Sequence, residues 1–193
     1  MPEPNPPPPR KVILFSGHMI DAPDRRTPRF PPDKEPIAQD AIGGALNELG
    51  VGSDDLGVCG GACGGDLLFA EAATARGARL ELYIPFDETT FLKESVDFAG
   101  PVWRARYFAI KAHATLHVPP NELSGSAAAE DPYERNNLRM LAQASRYGGD
   151  RLDFVCLWNG QSADGPGGTR HMMEEVEKAG GRTIWLDTTK LWS

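Results

Sequence analysis

The 193-residue sequence contains no run of 18 apolar residues, and it begins with prolines instead of a charged segment followed by an apolar one. Neither a membrane-spanning helix nor a standard secretory signal is therefore expected, and we expect a cytoplasmic protein without a membrane partner. Three cysteines are an odd number and too few for a disulfide scaffold. The four histidines have no metal-binding spacing, so we expect no metal site, and we expect no cofactor either.

An excess of positive charge is also missing. The formal net charge is −7, and because residues 1–36 contribute +1, the remainder of the chain carries −8. Proteins that bind duplex nucleic acid usually present a basic face, so nucleic acid is not an expected partner. The hydrophobic fraction of 40% and the length suit one ordinary globular domain.

Proline is unevenly distributed, since 11 of the 17 prolines fall within residues 1–36. Residues 1–10 are predicted to form a proline-rich disordered tail or a linker, because proline fixes φ and lacks an N–H donor. Residues 11–193 are predicted to form a single domain, and removal of residues 1–9 is expected to change its stability little. Residues 18–35 have no periodicity and form a long loop, a kind of segment that often binds ligands or closes over them.

Patterns typical of strands alternate with patterns typical of helices along the rest of the chain. Strands are predicted at 11–15, 56–59, 79–85, 115–118, 152–157 and 183–186, and helices at 36–49, 67–75, 89–98, 101–112, 131–147 and 171–179. This alternation predicts an α/β fold, a Rossmann-like, doubly wound, mainly parallel sheet with helices on both faces. In such a sheet, ligands bind outside the carboxyl ends of the strands.

Two glycine-rich loops follow predicted strands and precede predicted helices. The first is GGACGG at residues 60–65, followed by Asp66, and the second is GPGGT at residues 165–169. Such a turn lets backbone N–H groups approach an anion, and the helix N-terminus adds partial positive charge, so both loops are predicted to face a phosphate. We expect Thr169 to cap the second helix. The alternative for the first loop is a tight turn capped by Asp66; a P-loop is excluded because no G-K-[ST] follows.

Further candidates lie near the same edge. His18 ends the first strand. Arg29 lies on the long loop with Arg25 and Arg26, and these three arginines either clamp a phosphate or only balance the charge of the acids of that loop. Cys63 is expected to react faster with thiol reagents than a cysteine buried in a strand, such as Cys156. The candidate ligand-binding residues are Gly17, His18, Met19, Asp21, Arg29, Gly60, Gly61, Ala62, Gly64, Gly65, Asp66, Asn159, Gly167, Gly168 and Thr169.

These motifs resemble the SLOG superfamily, which includes lonely-guy-type phosphoribohydrolases and DNA-processing A proteins. The resemblance rests on FSGH at residues 15–18, GGACGGDLLFAEAA at residues 60–73 and GPGGT before a helix, and it spans nearly the whole chain. The segment GHMIDAPDRRTPRFP at residues 17–31 resembles a subgroup found in larger bacterial signalling proteins. The resemblance implies a pocket for a nucleotide or a nucleotide-derived ligand, with the first glycine loop and GPGGT facing phosphate and ribose.

The chain departs from the lonely-guy pattern, in which P-G-G-x-G-T is followed within three residues by a glutamate. Here Thr169 follows Gly168 directly, and Glu174 comes only five residues later. By resemblance, Arg104 or Arg106 is the counterpart of the family's catalytic arginine, although the local motif differs. The candidate catalytic residues are Glu71, Arg104 and Glu174.

Three functions follow as alternatives. The first is binding or sensing of a nucleotide-derived small molecule by a signalling module, and the second is an N-glycosidase that acts on a nucleotide or ribosyl compound, with His18 or Asp21 as further acid or base candidates. The third is a scaffold domain whose loops only serve the fold. The identity of the ligand, the presence of hydrolysis, a homodimer and attachment to a larger signalling protein all stay open at this point.

Overall fold

The computed structural model describes residues 7–120, 131–161 and 168–193, and every structural statement below concerns these residues. The strands are β1 (Val12–Gly17), β2 (Leu56–Cys59), β3 (Arg79–Tyr83), β4 (Thr115–His117), β5 (Leu152–Trp158) and β6 (Arg182–Asp187). The α-helices are α1 (Glu35–Glu48), α2 (Gly65–Ala75), α3 (Glu88–Ser95), α4 (Pro101–Lys111), α5 (Pro132–Ser145), α6 (Thr169–Lys178) and α7 (Thr188–Leu191). No helix in the described part of the chain is both long and apolar enough to cross a membrane.

The six strands form one sheet in the order β4-β3-β2-β1-β5-β6, and every neighbouring pair is parallel. The predicted α/β, Rossmann-like fold is therefore confirmed. The chain moves outward from β1 to β4 and then returns to the other side of β1 with β5. The strand order thus reverses between β1 and β5, and the carboxyl ends of these two strands mark the switch point where such sheets bind ligands.

The strand β1 lies in the centre of the core, and its side chains alternate between the two helical layers. Ile13 and Phe15 face the layer that contains α1, α2 and α4. Val12 and Leu14 face the opposite layer, which contains α5 and α6. The alternation explains why β1 reads in the sequence as a continuous apolar run, since helices cover both of its faces.

The start of the described chain lies along the amino edge of the sheet, opposite the switch point. Pro9 is buried, and its carbonyl accepts a hydrogen bond from Arg151 at 3.1 Å. The carbonyl of Pro7 accepts one from Arg79 at 2.9 Å, and the Arg10 N–H donates to the Asp54 carbonyl at 2.8 Å. Residues 7–10 therefore contact the domain, and we no longer expect that residues 7–9 can be removed without a loss of stability.

A pair of deletions tests this anchoring. Removing residues 2–9 is expected to lower the free energy of unfolding by about 1–2 kcal/mol, because a buried proline and two hydrogen-bond acceptors are lost. Removing residues 2–6 keeps all of these contacts and is the matched control, with an expected change below about 0.5 kcal/mol. Urea unfolding of both proteins measures the difference, and equal stabilities would contradict the role of Pro7–Pro9.

Candidate functional site

A cleft of about 330 Å³ opens at the switch point between β1 and β5. Its residues come from the ends of β1 and β5, from the long loop, and from the first turns of α5 and α6. They are Ser16, Gly17, His18, Arg29, Asp131, Tyr133, Glu134, Asn137, Leu157, Trp158, Gly168 and Thr169. The register pairs Gly17 with Leu157, which brings the two strand ends to the same level at the floor of the cleft.

The structure brings five of the predicted ligand-binding residues into this cleft: Gly17, His18, Arg29, Gly168 and Thr169. Two further predicted residues do not line the cleft but lie next to it. Met19 forms a bridge with Gly64, and the Asn159 N–H donates to His18. Gly167 and the remainder of the GPGGT loop before Gly168 lie outside the described residues. The prediction that Thr169 caps α6 is wrong, because α6 begins at Thr169 and Gly168 occupies the N-cap position.

His18 connects the two strand ends. Its backbone N–H donates to the Leu157 carbonyl at 3.0 Å, and its Nε2 accepts from the Asn159 N–H at 3.2 Å. Burial, with a contribution from the positive charge of Arg29, lowers the pKa of His18 to about 4. The imidazole is therefore neutral at pH 7, and because Nε2 is an acceptor, the proton resides on Nδ1. His18 therefore adds no positive charge to the cleft at pH 7.

The low pKa of His18 predicts a pH dependence of stability. In the unfolded chain a histidine takes up a proton near pH 6.5, whereas folded His18 stays neutral until about pH 4. The unfolded state therefore binds more protons between these values, so this contribution to stability is complete above pH 6.5 and is lost as the pH falls toward 4. Urea unfolding at pH 7.5 and pH 5 should show a larger loss for the wild type than for His18→Gln. Parallel losses in the two proteins would contradict the assignment.

Arg29 is the cation of the cleft. Its guanidinium makes no hydrogen bond and no ion pair with any described residue, whereas its neighbour Arg25 pairs with Asp21 at 3.2 Å. Burial and the proximity of Arg25 lower the pKa of Arg29, although an arginine remains charged at pH 7. A half-buried guanidinium that forms no salt bridge can bind an anion through its N–H groups.

Asp21 has a structural role that differs from its predicted ligand contact. Its carboxylate Oδ2 accepts from the backbone N–H groups of Arg29 at 2.8 Å and Phe30 at 2.9 Å. The Asp21 N–H also donates to the Phe30 carbonyl at 2.9 Å, which closes residues 21–30 into a compact loop. Asp21 does not line the cleft, and its carboxylate fixes the loop that carries Arg29.

One wall of the cleft comes from α5, and the sequence patterns did not predict it. Asp131 caps α5 by accepting from the Tyr133 N–H at 2.9 Å, and the Tyr133 hydroxyl lies 3.0 Å from the hydroxyl of Ser95. Glu134 and Asn137 line the same wall one helical turn apart. Polar residues at this spacing in the first turns of a helix are the one sequence signal for this wall. No local sequence pattern shows that α5 packs on β1.

Trp158 places a second donor without a partner at the cleft. Only 5% of the residue is exposed, and its indole N–H has no hydrogen-bond acceptor among the described residues. Its ring lies 5.7 Å from that of Trp185, whose own N–H donates to the Trp158 carbonyl at 2.9 Å. A buried donor without an acceptor costs free energy.

The first glycine loop, residues 60–66, lies at the carboxyl edge as predicted but does not line the described cleft. Its N–H groups have acceptors within the protein. The Ala62 N–H donates to the Asp66 carboxylate at 3.3 Å, and the N–H groups of Gly60 and Gly17 also interact with this carboxylate. Burial raises the pKa of Asp66 to about 7. The side chain of Asp66 therefore occupies the place among these amides where a phosphate was predicted.

Gly64 and Gly65 join this loop to the chain that follows β1. Gly64 forms an antiparallel bridge with Met19, and the Gly65 N–H donates to the His18 carbonyl at 3.0 Å. A Cβ atom on Gly65 would lie 3.1 Å from the Cα of Gly17. The glycines thus permit a close backbone approach that sets the position of His18 in the cleft.

Cys63 is fully buried, as is Cys156, so burial gives no reason for Cys63 to react faster, and the faster reaction stays a prediction. Burial raises the pKa of both Cys63 and Cys156 to about 12, so neither is a thiolate at neutral pH. The residues that the structure describes also contain no group of three or more His, Cys, Asp or Glu side chains arranged to hold a metal ion.

None of the three candidate catalytic residues lines the cleft. The Glu71 carboxylate is bound at 2.6 Å by Arg106, which also pairs with Glu35 at 2.6 Å and ties α2 and α4 to α1. Arg104 pairs with Asp97 on the surface, and Glu174 is exposed on α6. The described contacts of Glu71 and Arg106 therefore hold helices together.

Comparisons with known proteins give low similarities. DNA processing protein A from Streptococcus pneumoniae shares 11% identity and a TM-score of 0.46 over 92% of this chain and 50% of its own. The protein TM1055 shares 13% identity and a TM-score of 0.39 over 75% of this chain and 60% of its own. DNA processing protein A from Helicobacter pylori, described with a single-stranded DNA binding mode, shares 16% identity and a TM-score of 0.32 over 94% and 78%. The chain thus spans only half to 60% of the first two proteins.

No family model matches the chain, and no curated protein matches it in sequence. The fold assignment therefore rests on the parallel sheet itself.

Proposed function

We propose that the cleft between β1 and β5 binds a nucleotide or a nucleotide-derived small molecule, and that the protein acts as a ligand-binding module in signalling. The main support is the position of the cleft at the switch point, where Arg29 and the N-terminus of α6 both line it. The Arg29 guanidinium forms no salt bridge with a described residue, although the Asp21 carboxylate acts on it at longer range. First-turn N–H groups of a helix lack intrahelical acceptors and favour a negative charge. Arg29 and α6 together form the phosphate end of the proposed site.

The polarity across the cleft suits a ribosyl phosphate. The lining offers donors in the Arg29 guanidinium and the N-terminus of α6, and acceptors in the carboxylates of Asp131 and Glu134. Carboxylates accept hydrogen bonds from ribose hydroxyls in many nucleotide sites. The volume of about 330 Å³ lies near the lower end of the range for small-molecule pockets. The net charge of −7 disfavours a nucleic-acid ligand.

The SLOG-type motifs at residues 60–73 and 165–169 support a nucleotide ligand by resemblance, with one change of role. In the proposal, the Gly60–Asp66 loop supports the cleft by fixing His18 and Gly17, and it does not hold the phosphate. Attachment to a larger signalling protein and formation of a homodimer remain proposals drawn from that resemblance alone.

One observation supports the N-glycosidase alternative. The Glu134 carboxylate lines the cleft and makes no ion pair with any described residue, so it is available as an acid or a base. The candidates from the sequence, Glu71 and Glu174, lie elsewhere. Incubation with nucleoside monophosphates and NAD, followed by chromatography for free base, tests this alternative. Release of base that Glu134→Gln abolishes would establish hydrolysis, and absence of release leaves binding alone.

A thermal-shift screen tests the binding proposal. The panel contains nucleoside monophosphates, cyclic nucleotides, ADP-ribose and NAD, with inorganic phosphate and the free nucleosides as controls. Binding to the folded state raises Tm, and ligand at 100 times Kd adds about 2.7 kcal/mol of stability. We expect a shift from phosphorylated compounds and none from the nucleosides. A panel without any shift would overturn the proposal and favour a scaffold domain.

A further inference from the structure

If the cleft binds an anion as proposed, the way in which Arg29 is held there matters, and the following proposal rests on that function. We propose that Trp192, which directly follows α7, is a positioning residue for Arg29 and acts on the loop that carries it. Trp192 does not line the cleft itself. Its side chain contacts the loop that carries the guanidinium and the core beneath that loop.

The peptide group between Arg29 and Phe30 is fixed on both sides. Its carbonyl oxygen accepts from the Trp192 indole N–H at 3.0 Å, and its N–H donates to the Asp21 carboxylate at 2.9 Å. A peptide plane held at both polar atoms has little freedom to rotate. The direction in which the Arg29 side chain leaves the backbone is thereby set.

The rings on either side reinforce this hold. The Trp192 ring stacks on that of Phe30, with centroids 5.4 Å apart and an angle of 27° between the planes. Phe30 is fully buried in the main core, and Trp192 packs against the same core. Residues 21–30 would otherwise be a long polar loop, and here both of its ends are anchored.

Half-burial explains why Arg29 needs such a support. The guanidinium lies near Arg25, whose like charge lowers the pKa of Arg29, and it has no described ion pair. Without a fixed backbone the side chain would move toward solvent, where its charge is better hydrated. A fixed backbone keeps the positive charge in the cleft before any anion arrives, which reduces the ordering cost of binding.

Hydrogen exchange in the absence of any ligand tests the positioning directly. Trp192→Phe keeps an aromatic ring on Phe30 but removes the indole N–H, so exchange in the segment 27–31 should become faster while peptides from β2 stay unchanged. Trp185→Phe is the matched control, because it also removes one indole-to-carbonyl hydrogen bond, but between β6 and β5. Unchanged exchange at 27–31 in Trp192→Phe would overturn the proposal.

A double-mutant cycle then tests the consequence for binding. With adenosine 5′-monophosphate and inorganic phosphate as probes, Trp192→Phe should weaken binding about two- to tenfold in the wild-type background. In an Arg29→Gln background the same substitution should have no further effect, measured by titration calorimetry or ligand-observed NMR. Equal weakening in both backgrounds would overturn the link to Arg29. If the wild type binds neither probe, the proposed function fails for these compounds, and the exchange result alone decides the positioning.

Discussion

Gly64→Ala is expected to lower the free energy of unfolding by about 3–5 kcal/mol, from backbone strain and overpacking together. Gly64 has φ 93° and ψ −129°, a conformation that residues with a Cβ rarely adopt. A Cβ placed there would lie 2.5 Å from the Ile20 nitrogen and 2.9 Å from the His18 carbonyl oxygen. Both neighbours are backbone atoms in a hydrogen-bonded segment, so neither moves cheaply.

The matched control is Gly44→Ala. Gly44 lies exposed within α1, and a Cβ atom added there would meet no neighbouring atom within 4 Å. Alanine there should stabilise the protein by about 0.5–1 kcal/mol, because it lowers the entropy of the unfolded chain and favours the helix. Urea unfolding of both variants measures the contrast. A loss below about 1 kcal/mol for Gly64→Ala would show that the bridge to Met19 is not rigid.

Arg29→Gln is expected to weaken the binding of a phosphorylated nucleotide about 10- to 150-fold, because a hydrogen bond to a charged group is worth about 1.5–3 kcal/mol. The guanidinium is the one charged donor of the described cleft, and it forms no salt bridge with a described residue, although the Asp21 carboxylate acts on it at longer range. Binding of the corresponding nucleoside, if it occurs, should change much less. Isothermal titration with both compounds gives the two ratios.

Arg26→Gln controls for the loss of a positive charge. Arg26 lies exposed on the same loop and does not line the cleft, so it shares the long-range electrostatic effect but not the contact. In 0.15 M salt, where the Debye length is about 8 Å, its effect should stay below about twofold. Equal losses for the two variants would mean that the loop attracts the nucleotide only through its net charge.

The fold could be predicted because its signals are local. Each strand or helix has its own apolar pattern, a continuous run in a buried strand or a period in a helix, and β2 begins and ends where the sequence predicts. The predicted end of β1 at Phe15 was too early, since the strand extends to Gly17. Ser16 and Gly17 carry no strand signal of their own, and the pairing with β5 extends the strand.

The site was only partly predictable, because its assembly depends on distant pairings. The sequence places Gly17, His18 and Thr169 at one edge, but it does not state which strands are neighbours. The wall from Glu134 exists only because α5 crosses over β1, and no local pattern reports such a crossing. The first glycine loop differs from its prediction for another reason. The carboxylate of Asp66, in the helix that follows the loop, accepts hydrogen bonds from the amides that were predicted to bind a phosphate.

The seam between β1 and β5 also bears on the order in which the molecule forms. Val12 pairs with Leu56, 44 residues away, but also with Leu152, 140 residues away. Closing the longer chain segment costs more entropy, so the first four strands have the kinetic advantage and β5 is expected to dock late. The cleft lies on that seam and does not exist until β5 has docked. If the cleft binds a small molecule as proposed, a nascent chain is not expected to bind it before β5 has been synthesised and has docked.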